Sequence, residues 1–321
     1  MLHTPVCELF GIEHPIMQAA IAPFTSPELA AAVANAGGLG SLGTALRPLE
    51  QVLQDITRLR ELTSRPFAVN FTASMVDDAA FDAVLQTRPP FVSFALGDPG
   101  ERVRKAHDQG IRFIQQVHTV TQAKATAERG VDALIAQGTE AGGFGGTVST
   151  MPLVPQVVEA VAPLPVLAAG GIADGRGLAA ALVLGAQGIN IGTRFLASAE
   201  APTGEAWKQG LVAAAAEDAV KVDVMNDIFP PATGVYETVP RALRTAFVDE
   251  WQGRHEEARR EAAHLRGELI AAVQRGRMHD YVPFSGQTAG AIHEILPAAE
   301  IVRRLVAEAE AALDTALRLR A

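Results

Sequence analysis

Short runs of apolar or β-branched residues alternate with longer segments of helical period along most of the chain. The strand-like runs are Pro15–Ala20, Leu39–Leu42, Pro66–Phe71, Phe91–Ala95, Arg112–Val117, Ala133–Gln137, Pro165–Ala169 and Gly188–Ile191. Between them lie segments that read as helices: Pro27–Ala36, Pro48–Leu62, Asp77–Thr87, Pro99–Gln109, Val120–Arg129, Pro152–Val161 and Gly175–Leu184. Proline follows a cap-like residue at Ser26–Pro27 and Asp98–Pro99, and glycine closes the segments at Ala36–Gly37 and Gln109–Gly110, as helix starts and stops require. The strands are continuously apolar, the pattern of parallel strands covered on both faces. Eight strand–helix units predict closure into a (β/α)8 barrel, with a doubly wound open sheet as the alternative on counting alone. The rhythm breaks after the eighth strand: residues 203–282 read as mostly helical, with a charged, alanine-rich pattern over His255–Arg275, and residues 299–320 read as a final amphipathic helix. We expect one domain over residues 1–321, with 203–282 as an insertion that covers the barrel mouth.

Composition narrows the classes. Nearly half of the 321 residues are apolar and 29 are glycine, which suits compact strand–helix units. A net charge of −9 argues against a nucleic-acid partner. The single cysteine, Cys7, excludes an internal disulfide framework and a thiolate metal cluster. His107, His118, His255, His264, His279 and His293 are scattered without ligand spacing, so no metal site is expected. The N-terminus has no basic start followed by a long apolar core, and no uncharged stretch of about 18 apolar residues is present to span a bilayer. The expectation is a cytoplasmic protein without membrane contact.

A barrel carries its chemistry at the C-terminal ends of its strands and in the loops that follow. After the seventh strand comes Gly170–Gly171, and after the eighth comes Gly192–Thr193. Glycines in both loops let backbone amides approach an anion, the arrangement by which many barrels bind phosphate. The loop after the sixth strand, residues 137–146, holds five glycines in ten residues, including Gly142 and Gly143, which suggests close approach to a ligand. Amides cluster at other strand ends: Gln18, Asn70, Gln115 and Gln116. No Gly-x-Ser-x-Gly elbow or Cys/His pair appears, so hydrolytic chemistry is disfavoured.

These motifs together resemble the nitronate monooxygenase (2-nitropropane dioxygenase) family and the related FMN-dependent enoyl-acyl-carrier-protein reductases of the FabK type. The resemblance is carried by HPIMQAAIAPFTSPELAAAVANAGGLGSLG, PFAVNF, GVDALIAQGTEAGGFGG, PVLAAGGIADGRGLAAALVLGAQGINIGTRFLAS and SGQTAG. It implies a barrel that holds FMN across its C-terminal mouth. In that reading Gly170, Gly171, Gly192 and Thr193 cradle the phosphate, while Ala19, Ala20 and Ile21 line the flavin ring with Asn70 as an amide partner. Gly142 and Gly143 approach the cofactor, Gln137 stands at the ribityl chain, and Gln287 lies near the ring. Gln116 falls where many relatives have a lysine. One position departs: the family loop typically reads GxEAGGHxG, with its histidine facing the substrate, and here that residue is Phe144. A catalytic role is expected at Phe144 through this replacement, with His118 or His293 as substitute imidazoles. The implied function is oxidation of alkyl nitronates with O2. The alternatives are an NAD(P)H-driven reductase of an enoyl thioester or quinone, and a flavin-binding protein that has lost catalysis. Partners are a small organic substrate and O2, with NAD(P)H as an optional reductant; the oligomeric state is left open.

Overall fold

The computed structural model describes residues 2–230 and 238–319; residues 231–237 of the expected insertion and residue 320 of the expected last helix lie outside it. Among the described residues eleven strands form: β1 (Ile16–Gln18), β2 (Gly40–Gly43), β3 (Phe67–Thr72), β4 (Phe91–Ala95), β5 (Arg112–Val117), β6 (Ala133–Gln137), β7 (Gly143–Gly145), β8 (Val166–Ala169), β9 (Gly188–Ile191), β10 (Ala219–Lys221) and β11 (Val239–Leu243). Eight of them make a parallel sheet in the order β1-β9-β8-β6-β5-β4-β3-β2. The two ends of that order meet. Met17 bridges Leu39, the Gln18 N–H donates to the Leu39 carbonyl at 2.9 Å, and the Leu39 N–H donates to Ile16 at 2.8 Å. The fully buried Gln18 side chain reinforces this seam by accepting from the Ser41 N–H at 2.8 Å. The sheet is therefore a barrel, as the eightfold alternation requires.

Inside the barrel, Met17, Leu39, Ala68, Phe91, Ile114, Ala133, Ile135, Leu167 and Ala169 share one core with Cys7 and Phe10 of the N-terminal helix Pro5–Phe10. Cys7 is thus a small buried apolar residue. A second, larger core lies between the strands and the outer helices. The C-terminal helix, Ala298–Arg318, packs against the helix Gly175–Val183. Gly175 permits that approach, since a Cβ there would lie 2.3 Å from the Ala309 nitrogen.

The insertion differs from its sequence reading in one respect. It contains helices, among them Glu205–Ala213, Ala246–Trp251, His255–Arg260 and Ala262–Gln274, but also β10 and β11. These pair antiparallel with each other, and β11 pairs with β7 from the loop after β6. The strands are three to five residues long and their alternation is too brief to register as a period. The insertion has its own core, in which Trp207, Leu211, Val222, Met225, Phe247 and Leu265 pack with Phe24 of the loop after β1 and Leu196 of the short helix after β9. Phe24 and Trp207 meet edge to face at 4.8 Å.

Two glycines test this packing in opposite directions. A Cβ on Gly40 would lie 1.9 Å from the Ala30 carbonyl oxygen, whereas one on Gly267, in the helix Ala262–Gln274, meets nothing within 4 Å. Gly40→Ala should cost about 3 kcal/mol or more through overpacking, and Gly267→Ala should gain roughly 0.5–1 kcal/mol of helix stability. Thermal unfolding of the two variants checks this: the first melts below the parent protein and the second above it.

Candidate functional site

The loops after β6, β8 and β9 pack closely at the C-terminal end of the barrel because glycines stand at their contacts. Gly170 and Gly171 adopt left-handed φ values of +95° and +74°, open to glycine without steric cost. A Cβ on Gly170 would lie 2.9 Å from the Gly138 carbonyl oxygen and 3.0 Å from Thr150 Oγ1, and one on Gly192 would lie 2.9 Å from Ile21 Cδ1. A Cβ on Gly142 would lie 2.6 Å from the Gly286 nitrogen. The Gly286 N–H donates to Thr193 Oγ1 at 2.9 Å, and the Gln287 N–H donates to the Glu140 carbonyl at 3.0 Å. Gly142, Gly170, Gly171, Gly192, Thr193 and Gln287 are therefore brought into one neighbourhood, together with Ile21.

This neighbourhood fits a phosphate. Thr193 and Arg194 open the short helix Thr193–Leu196 behind Gly192, so their N–H groups have no acceptor within it. The nearby Glu140 carboxylate is turned into the start of another helix, Thr150–Val161. It accepts from the Thr150 N–H at 3.0 Å and from the Thr150 hydroxyl at 2.9 Å, which offsets its charge at a helix N-terminus.

A second group of polar residues lies at the ends of β5 and β6. Gln137 Oε1 accepts from Gln116 Nε2 at 3.1 Å and stands 2.8 Å from His118 Nε2. Gln116 Nε2, a donor, also stands 3.3 Å from the same ring nitrogen, but an amide oxygen only accepts, so the shorter contact to Gln137 sets the imidazole proton on Nε2. The Gln122 amide oxygen holds the His118 backbone N–H at 2.6 Å. Burial lowers the His118 pKa to about 4, with the Lys221 charge adding to the effect and the Gln137 hydrogen bond opposing it. His118 is therefore neutral at pH 7, and with Gln115, Gln116 and Gln122 it lines a cavity of about 390 Å³. Asn70 donates to Ser93 Oγ at 2.9 Å and remains half-buried, as do Ala19 and Ala20.

Two cations that sequence reasoning passed over join the β6 loop to the insertion. Lys221 Nζ donates to the carbonyls of Val239 at 2.9 Å and of Gly145 and Gly146 at 3.3 Å. Arg241, its partner across β10–β11, donates to the Thr139 carbonyl at 3.1 Å. Burial and then the charge of Arg241 bring the Lys221 pKa down to about 8, against the pull of Glu140. Each sits in a short strand beside apolar residues, and that alternation was the one available signal.

Phe144 lies in β7 opposite Pro240. Its ring is half-buried and meets Phe284 edge to face at 6.0 Å. A Cβ on Gly146 would lie 2.8 Å from His118 Cβ, so the imidazole abuts the same loop two residues beyond Phe144. His293 is elsewhere: it is exposed at a cavity between the C-terminal helix and the loop after β8. Among the described residues no helix is long and apolar enough to cross a membrane, and no three His, Cys, Asp or Glu side chains group as metal ligands.

Comparison with known proteins places this arrangement. A family model described as nitronate monooxygenase matches residues 3–82 and 72–308. A Mycobacterium tuberculosis protein named (3aS,4S,5R,7aS)-5-hydroxy-7a-methyl-1-oxo-octahydro-1H-indene-4-carboxyl-CoA dehydrogenase is 37% identical over 252 residues, which is 78% of this chain and 68% of that protein. A probable nitronate monooxygenase of Staphylococcus saprophyticus is 36% identical over 282 residues, covering 73% of this chain and 79% of its own. Among solved structures, FabK from Thermotoga maritima superimposes with a TM-score of 0.89 at 35% identity, covering 100% of this chain and 99% of that one. With the barrel, the glycine loops and these matches agreeing, the chain belongs to the nitronate monooxygenase family of flavin-dependent oxidoreductases.

Proposed function

We propose that the protein binds FMN and oxidises alkyl nitronates with O2 as electron acceptor. The observation that carries this reading is Phe144, an aromatic ring in the β7 position of an otherwise intact family loop, backed by Phe284. A neutral nitroalkane must lose a proton before it can give up electrons, and a positioned base is worth roughly 10²–10⁴-fold, or about 3–5 kcal/mol. Phenylalanine provides no base. A nitronate is already an anion and needs only binding and charge stabilisation.

In this proposal the backbone N–H groups of Gly171 and Thr193 hold the FMN phosphate, with Gly170 and Gly192 keeping the loops close enough to reach it. Ala19, Ala20, Ile21 and Asn70 line the ring, Gln137 and Gln116 contact the cofactor's polar groups, and Gly142, Gly143 and Gln287 close the cofactor side. The bound flavin would supply the electron-acceptor chemistry. Residues 203–282 act as a lid: contacts of Trp207 with Phe24 and of Lys221 with the Gly145 and Gly146 carbonyls support this. Such a cover excludes water and strengthens electrostatic interactions beneath it. His118 is the imidazole nearest the loop, and its neutral state at pH 7 suits a hydrogen-bonding role toward Gln137 more than acid catalysis.

A second reading follows from the relative named as a carboxyl-CoA dehydrogenase: a thioester substrate whose electrons reach the flavin, or an NAD(P)H-driven reaction in the opposite sense. Its cytoplasmic setting would be shared with the first.

Two outcomes are expected. Purified protein should carry one FMN per chain, and Gly171→Val, which puts a β-branched residue at a left-handed φ of +74°, should lose most of it; full flavin absorbance in that variant would contradict the phosphate assignment. Phe144→His should raise kcat/KM for a neutral nitroalkane by about tenfold or more, while the value for the matching nitronate changes far less. Equal gains on both substrates, or none on either, would remove Phe144 from a vacated base position.

A further inference from the structure

A cavity of about 670 Å³ lies outside the barrel, between the loop after β8, the segment 291–296 and the C-terminal helix. Its size is that of a small-molecule site. Arg194 lines it and is only 7% exposed. This guanidinium makes one hydrogen bond, from Nη1 to the Glu294 carbonyl at 3.0 Å. Among the described residues no carboxylate comes within ion-pair distance of it, and its other nitrogens are not among the sealed, unpartnered atoms. They reach the cavity.

The carboxylates and guanidiniums around Arg194 already have partners, and His293 stands exposed beside them. Arg176 pairs with Asp174, Arg304 pairs with Glu294 at 2.6 Å, and Glu308 accepts the Gly175 N–H at 3.0 Å. The Glu294 and Glu308 carboxylates act on Arg194 only through space, and a buried charge with no directly bonded counter-ion is costly. Beside it the wall is apolar, formed by Leu296, Ile301 and Leu305. With Arg194 the lining carries three guanidiniums and three carboxylates, so an added anion gains only at the free edge of Arg194 and a second negative charge is repelled. A planar carboxylate matches the free edge of a guanidinium with two parallel hydrogen bonds, and a short hydrocarbon body matches the wall.

We infer that this cavity is a binding site for a monocarboxylate with an apolar body, anchored by Arg194 and separate from the flavin mouth. Arg194 is the residue after Thr193 in the same short helix, so occupancy here presses on a loop assigned above to the flavin phosphate. The site itself stands on the cavity and Arg194, independent of which substrate the flavin oxidises.

The test is isothermal titration of octanoate into flavin-loaded protein at pH 7, with octanamide as the neutral isostere and inorganic phosphate as the simple anion. Saturable binding of octanoate is expected, with octanamide and phosphate each at least about tenfold weaker. Arg194→Gln should weaken octanoate by about tenfold or more. Ala311→Phe, at an exposed position on the cavity wall, should also weaken it, and decides the matter if the first variant does not fold. Octanamide or phosphate binding as tightly as octanoate, no saturable binding, or binding untouched by Ala311→Phe would overturn the inference.

Discussion

Close packing at glycines in the loops after β6, β8 and β9, against one another, Ile21 and Gly286, is the constraint on which the rest of the site depends. Gly170 lies against Gly138 and Thr150, Gly142 lies against Gly286, and Gly192 lies against Ile21, each at a distance that a Cβ would violate. Side chains of ordinary size at these positions would push the loops apart by several tenths of an ångström or more. The N–H groups at the start of the Thr193–Leu196 helix would then no longer share a neighbourhood with Gly171. The barrel beneath supplies the rigid base for this arrangement, closed by Gln18 and Leu39 between β1 and β2.

The insertion acts on this base through a small sheet. By taking β7 as its edge, it fixes the loop that carries Phe144, and Lys221 ties the same loop by the Gly145 and Gly146 carbonyls. Burial there has two electrostatic results. His118 stays neutral, and Lys221 loses part of its preference for the charged state. Both follow from the same desolvation, which disfavours charge whatever the residue.

The barrel was legible because each strand–helix unit repeats one period, and repetition over eight units averages out local ambiguity. β4, β5, β6 and β9 begin and end where the apolar runs do. The glycine loops were legible for a related reason: glycine is required by contacts that no other residue allows. The sheet β7–β10–β11 was not, because strands of three to five residues carry no measurable period and β11 must pair both with nearby β10 and with the distant segment Gly143–Gly145. Lys221 and Arg241 were missed with it, since their partners are backbone carbonyls, which leave no trace in residue type. His118 was visible as a histidine after a strand, but its partner Gln137 and its burial are products of the fold alone.

The central claim is that electrons enter from a substrate that is already an anion, and anaerobic reduction of the bound flavin tests it directly. Mixing the flavin-loaded protein with an alkyl nitronate, with NADH and with NADPH, in the absence of O2, should bleach the flavin absorbance with the nitronate and with neither nucleotide. Bleaching by NADH or NADPH while the nitronate leaves the flavin oxidised would contradict the account and assign the site to a reductase.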